Sequence, residues 1–239
     1  MCARWLLIIS AVAMGQLPPG AVVIELATVR ADRELVLWMV KPTRFDRGPN
    51  TNDNPYTCPE RSRGHHYIGP TRVSLVEPAT KRVLNTVPIH PYKEDSFDVP
   101  YRIVPGYSYR VPGAKPGEEG HPKLLDLRDF NGDGLPLEAA FYDAQACMGL
   151  LTTLVGYSPK RDRVVQYPVE LRVSGGGKAR TETNLWVDYL FSYKPVSPGR
   201  WTYEIDYRGR AGSLDAYDIR YVPAEERFRG TLAWTEELR

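Results

Sequence analysis

Apolar and polar positions in this chain alternate with a period of two, in short runs punctuated by proline and glycine, which is the pattern of half-buried β-strands. Val22 to Val29 and Leu35 to Val40 are β-branched and apolar, and the charged tetrad Arg30-Ala31-Asp32-Arg33 between them predicts an antiparallel hairpin. Thr71 to Val76 and Val83 to Ile89 flank Glu77-Pro78-Ala79-Thr80-Lys81 and predict a second hairpin, with proline in its turn. Further on, Ala139 to Tyr142, Thr152 to Tyr157 and Arg163 to Val173 read as strands, the last two joined by the polar turn Ser158-Pro159-Lys160-Arg161-Asp162. The C-terminal quarter alternates most clearly. Leu185, Val187, Tyr189, Phe191 and Tyr193 are expected on one strand face, and Trp201, Tyr203, Ile205 and Tyr207 on the next. Tyr217, Ile219 and Tyr221, then Phe228, Leu232 and Trp234, complete a predicted four-segment antiparallel meander.

Two stretches break this rhythm. Pro42 to Pro70 has almost no apolar periodicity and reads as a long surface loop. From Pro91 to Pro122 prolines and glycines recur every few residues, leaving room only for a short edge strand near Val99 to Val104. Residues 91–122 are the candidate seam, yet one domain over 21–239 is the preferred organisation. No stretch shows sustained helical spacing, so the expected class is all-β: antiparallel meanders and hairpins forming a sandwich or a propeller-like domain.

The N-terminus changes the picture of where the protein works. Arg4, the apolar run Trp5 to Met14 and the small-x-small pattern Ala11-Val12-Ala13 predict a signal peptide over 1–13. The run is about half the ~20 residues that span a bilayer, so no transmembrane segment is expected after processing. Export makes the protein periplasmic or secreted, and cleavage removes Cys2. Cys58 and Cys147 then remain as a lone pair in an oxidising compartment, and a disulfide is expected between them. Such a bond would cross the candidate seam and close a loop of roughly 90 residues.

Charge narrows the partners. The formal net charge of +2 over 239 residues is small. Basic residues alternate with acidic ones, which argues against a nucleic-acid surface. The partner class is not fixed by the residues; an exported chain would meet cell-surface proteins or polysaccharides.

The most specific chemistry lies at Asp129-Phe130-Asn131-Gly132-Asp133-Gly134. Calcium takes six to eight hard oxygen ligands, and a loop supplies them from side chains at positions 1, 3 and 5 and a carbonyl at position 7. Those are Asp129, Asn131, Asp133 and the carbonyl of Leu135, with Glu138 as a further acid; Gly132 and Gly134 permit the tight wrap. An EF-hand does not fit, because the twelfth position is Ala140. Over roughly Leu124 to Tyr167 the chain resembles the calcium loops of FG-GAP and VCBS-type repeats, whose Asp-x-Asn-x-Asp-Gly turn joins two strands of a propeller blade. The resemblance implies a calcium cofactor in a secreted or cell-surface protein. It is local: the ninth loop position is Leu137, with Glu138 one later, and only one such loop occurs.

Catalytic signatures are absent from the sequence: no His-Glu-x-x-His, no Gly-x-Ser-x-Gly and no Cys-x-x-Cys. The expected function is therefore an exported, calcium-binding, β-rich protein with a binding or structural role. Two alternatives stay open. One is an extracytoplasmic hydrolase using paired carboxylates, Asp126 with Asp129 or Asp215 with Asp218. The other is a carbohydrate-binding module using exposed aromatics such as Trp201 or Trp234, against which stands the commoner fate of such aromatics, a sheet core. The arginines at 200, 208, 210, 220, 227 and 229, interleaved with Asp206, Asp215 and Asp218, read as a solvated charged face.

Overall fold

The computed structural model describes residues 15–47, 64–91, 97–99, 115, 117–118, 121–145, 149–207 and 212–236. The signal segment at 1–13, Cys58 and Cys147 lie outside them, as does most of the candidate seam. Among the described residues there is no α-helix, and the class is all-β, with antiparallel sheets and hairpins in a sandwich-like arrangement.

Both N-terminal hairpins form as their alternation demands. The first joins β1 (Ala21–Arg30) to β2 (Arg33–Val40), and the second joins β5 (Thr71–Glu77) to β6 (Arg82–Pro88). They share one sheet in the order β1-β2-β5-β6, where Val36 lies opposite Ser74 in the β2–β5 register. Leu35, Leu37, Met39, Val73 and Leu75 turn to one face and are almost wholly buried. Two strands correct the expected loop between Pro42 and Pro70: β3 (Thr43–Arg47) and β4 (Gly64–Gly69), which with β7 (Phe97–Val99) make a small separate sheet. Their residues show no run of alternating apolar positions, although Tyr67 packs against the first core, so the side-chain pattern does not reveal them.

A second sheet lies beneath the first. Its central strand β9 (Gly149–Ser158) pairs with β8 (Glu138–Gln145) on one side and with β10 (Arg163–Gln166) and β13 (Val187–Asp188) on the other. Every residue from Thr152 to Ser158 is buried. Val155 and Tyr157 pack into the first core, while Leu154 between them enters a second core behind. β8 divides likewise, Ala139 and Phe141 facing forward and Ala140 back. A strand covered on both faces reads as a nearly continuous apolar run, as Leu150 to Tyr157 does.

The third sheet has the order β12-β11-β16-β15-β14, comprising β12 (Lys178–Asn184), β11 (Val169–Gly175), β16 (Arg227–Glu236), β15 (Ser213–Val222) and β14 (Arg200–Asp206). Three of the four expected meander segments form it, and β11 joins them parallel to β16. The fourth does not. Residues 185–193, expected as a strand, supply only two-residue β13; Tyr189 then takes a positive φ of 55° and Leu190–Ser192 make one turn of 3-10 helix. The turn lets consecutive Leu190 and Phe191 both enter the second core, which a strand would forbid. Arg163 to Val173, expected as one strand, is two: the chain passes Pro168 and moves from the middle sheet (β10) to the third (β11).

Candidate functional site

The predicted loop is pinned at its base by a single antiparallel bridge. Arg128 N–H donates to the Glu138 carbonyl (2.8 Å) and Glu138 N–H returns the bond to Arg128 (3.2 Å). Between them the chain wraps around its own carboxylates. Asp129 Oδ1 accepts the amides of Gly132 (2.7 Å) and Asp133 (3.1 Å), and Oδ2 accepts Gly134 (2.9 Å). Asp133 Oδ1 accepts Leu135 N–H (2.8 Å), and Asn131 Oδ1 accepts Asp133 N–H (2.9 Å). Gly132 and Gly134 hold φ of 79° and 90°, the left-handed conformations that the wrap needs.

Glu138 stands one residue later than the ninth loop position. The structure absorbs the extra residue in a tight turn about Pro136, where Leu137 N–H donates to the Leu135 carbonyl (3.0 Å). That sends Leu137 into the first core and turns the Glu138 side chain into the loop. There Oε2 accepts Phe130 N–H (3.1 Å) and Asn131 N–H (3.4 Å), while Oε1 accepts the Asn131 side-chain amide (3.1 Å). Glu138 is 0% exposed. Burial pushes its carboxyl up to about 8; neighbouring Asp133 and Asp129 add to the rise and the two backbone N–H bonds oppose it.

The same Asn131 Nδ2 also donates to Asp133 Oδ2 (3.0 Å). One amide terminus therefore lies about 3 Å from oxygens of two carboxylates. Oxygens ~3 Å apart are also what a calcium ion gathers, because its ligands stand at ~2.3–2.6 Å. A half-turn of the Asn131 amide would bring its oxygen to the two carboxylate oxygens, at the loss of the bond from Asp133 N–H. Among the described residues no three His, Cys, Asp or Glu side chains are already drawn to one point. The four side chains fit calcium by donor chemistry, as three carboxylates and one amide in a single turn of chain. The Leu135 carbonyl accepts Leu137 N–H within the loop and keeps one lone pair.

The loop is also docked. A Cβ on Gly132 would lie 2.6 Å from the carbonyl carbon of Pro198, and one on Gly199 would lie 2.4 Å from the Asn131 carbonyl oxygen. Two backbones thus meet with no side chain between them. Phe130 enters the second core edge-on to Phe191 (ring centroids 5.9 Å), whereas Leu124, Leu125 and Leu137 belong to the first. Neither Pro198 nor Gly199 carries a sequence pattern that foretells this contact.

The proposed acid pairs do not come together. Asp126 is salt-bridged to Arg128 (2.6 Å), while Asp129 is committed to loop amides. Asp215 and Asp218 lie three residues apart on β15 and so project to opposite faces; Asp218 pairs with Arg200 (3.0 Å). Asp215 instead neighbours Asp188, whose carboxyl is raised by burial and by that charge. The aromatics of the third sheet are core: Trp201 is 0% exposed and donates to the Tyr193 carbonyl (3.0 Å), and Tyr203 stacks on Tyr217 (4.6 Å). Trp234 is half-buried, its indole lying across Gly175. Among the described residues no helix is long and apolar enough to cross a membrane.

Comparison of the chain with protein-family models, with curated proteins and with solved structures finds no match.

Proposed function

We propose that this is an exported β-protein with a binding or structural role, in which calcium, held by Asp129, Asn131, Asp133 and Glu138, stiffens the connection between the two cores. The Leu135 carbonyl and water complete the shell. The single observation that carries this reading is Glu138: a fully buried carboxyl group beside the acids Asp129 and Asp133, with no cationic partner among the described residues. A divalent ion is the natural counter-charge for such a cluster. The likeness to FG-GAP and VCBS-type loops supports the same reading. The chain acts outside the cytoplasm after removal of 1–13, and Cys58 is bonded to Cys147.

Thermal unfolding with calcium and with chelator tests the site. Binding to the folded state alone adds RT ln(1 + [L]/Kd), about 2.7 kcal/mol at 100 times Kd, so Tm rises with calcium. Asp133→Ala is expected to abolish the difference. Identical melting of the wild type with calcium and with excess chelator would falsify the calcium reading.

A further inference from the structure

We propose that the outer face of the third sheet carries a binding site for an acidic saccharide, held by the guanidinium groups of Arg172, Arg200, Arg220 and Arg229. These side chains stand on four different strands and line one open concavity of about 530 Å³, a size within the range of small-molecule sites. The concavity comes from tertiary pairing alone, since Arg172 lies far from the others in sequence.

The register sets like charges side by side on this face. Arg200 lies directly opposite Arg220, and Arg220 directly opposite Arg229, so three like charges stand side by side on adjacent strands. Like charges directly opposite one another are destabilising. Two of the three are neutralised: Arg200 grips Asp218 through Nε (3.1 Å) and Nη2 (3.0 Å), and Arg229 meets Glu170 (3.0 Å) and Glu225 (2.8 Å). Arg220 in the centre and Arg172 at the side form no ion pair among the described residues. Four guanidinium groups face two lining carboxylates, Glu170 and Asp218, and the excess is positive. A guanidinium fork matches a carboxylate or sulfate group in shape and charge.

Three features select the larger ligand. No aromatic ring lines the concavity, which removes the stacking platform that single-stranded nucleic acids use. No large apolar side chain lines it either, so nothing there would enter a membrane. Exposed Thr181 and Thr231 place hydroxyls beside the arginines, suited to sugar hydroxyls. Adjacent strands are ~4.8 Å apart, close to the advance of one pyranose unit, so a chain laid across β14, β15 and β16 passes Arg200, Arg220 and Arg229 in turn, with Arg172 two residues off that row on β11. This inference rests on the reading that the protein works by binding, but not on calcium.

Calorimetric titration of the full chain tests it, with a short oligogalacturonate and a sulfated oligosaccharide as ligands. A neutral oligosaccharide, inorganic sulfate and phosphatidylserine vesicles serve as comparators. An acidic oligosaccharide is expected to bind saturably and more weakly as salt rises. The double variant Arg172→Ala/Arg220→Ala is expected to lose roughly tenfold or more in affinity, since each removes charged hydrogen bonds. Arg163→Ala, exposed on β10 and away from the concavity, is expected to bind as wild type. Amide chemical-shift changes in the wild type are expected around Arg172, Thr181, Arg220 and Thr231, a readout independent of how well any variant folds. The proposal is overturned if the acidic sugars bind no better than the neutral one, or if sulfate or vesicles bind as tightly as they do. It is equally overturned if the double variant keeps wild-type affinity or the shifts map elsewhere. Calcium dependence of melting is read separately on the same samples, so either proposal can fail alone.

Discussion

Glu138 shows how one side chain changes meaning with its surroundings. In sequence it is one more acid after a glycine-rich turn; in the fold it is a 0% exposed carboxyl raised to about 8. The unfolded carboxyl releases its proton near its ordinary value of 4.5, whereas the folded one keeps it to about 8. The folded state therefore binds the extra proton between those values, and stability falls as pH rises through that window. The shift corresponds to at most about 5 kcal/mol. In chelator, urea denaturation is expected to give a falling free energy from pH 5 to 8, and Glu138→Gln is expected to flatten it. Calcium favours the ionised carboxylate, so its binding in this window is expected to release protons and to tighten as pH rises. Calorimetry in buffers of differing ionisation enthalpy reads that release.

At the scale of the element, the loop and the turn it rests on form one unit. Gly132 and Gly134 both hold positive φ, but only Gly132 has a neighbour, the Pro198–Gly199 backbone; around Gly134 a Cβ would meet nothing within 4 Å. Alanine at Gly134 is expected to cost about 1–2 kcal/mol, the penalty of the left-handed conformation alone. Alanine at Gly132 is expected to cost at least 1 kcal/mol more, because the turn must move as well. Equal losses in denaturant titrations would show that the loop and the turn are not in contact. A second cluster works in a similar way at the turn after β9. Arg33 reaches Asp162 (2.7 Å), and Glu226 takes both Ser158 and Arg161, so this turn is tied to the first and third sheets together.

Across the whole molecule the middle sheet decides cohesion. Because β9 lends alternate residues to two cores, unfolding either core uncovers one of its faces. Native-state hydrogen exchange is expected to find the amides of Thr152 to Ser158 among the slowest, and those of polar, exposed β12 among the fastest. Comparable protection in β12 and β9 would contradict the layered description. Two further outcomes concern the mature chain. Intact-mass measurement after export is expected to show a start at Met14, and non-reducing peptide mapping a Cys58–Cys147 bond. Recovery of Met1, or of either cysteine as a free thiol, counts against the respective proposal.

Local chemistry alone determined much of this protein. Both N-terminal hairpins, β8, β9 and the three-stranded meander were legible because alternating apolar residues, charged turns and proline punctuate the chain at the scale of a few residues. The loop at 129–134 was legible for the same reason, since its spacing of Asp, Asn and Gly is itself the geometry of a tight wrap. What the tertiary structure decided depends on contacts between distant segments. Residues 185–193 have the period of a strand, yet the second core takes Leu190 and Phe191 together and bends the chain into a turn. Polar β12 has no core-facing pattern and exists because β11 offers it a paired edge. Glu138 enters the loop only through the turn at Pro136, and Arg172 reaches the other arginines only because β11 lies parallel to β16. Periodicity reports which face of an element is apolar. It carries no information about which element that face will meet, and the buried charge, the docked turn and the arginine concavity all arise at such meetings.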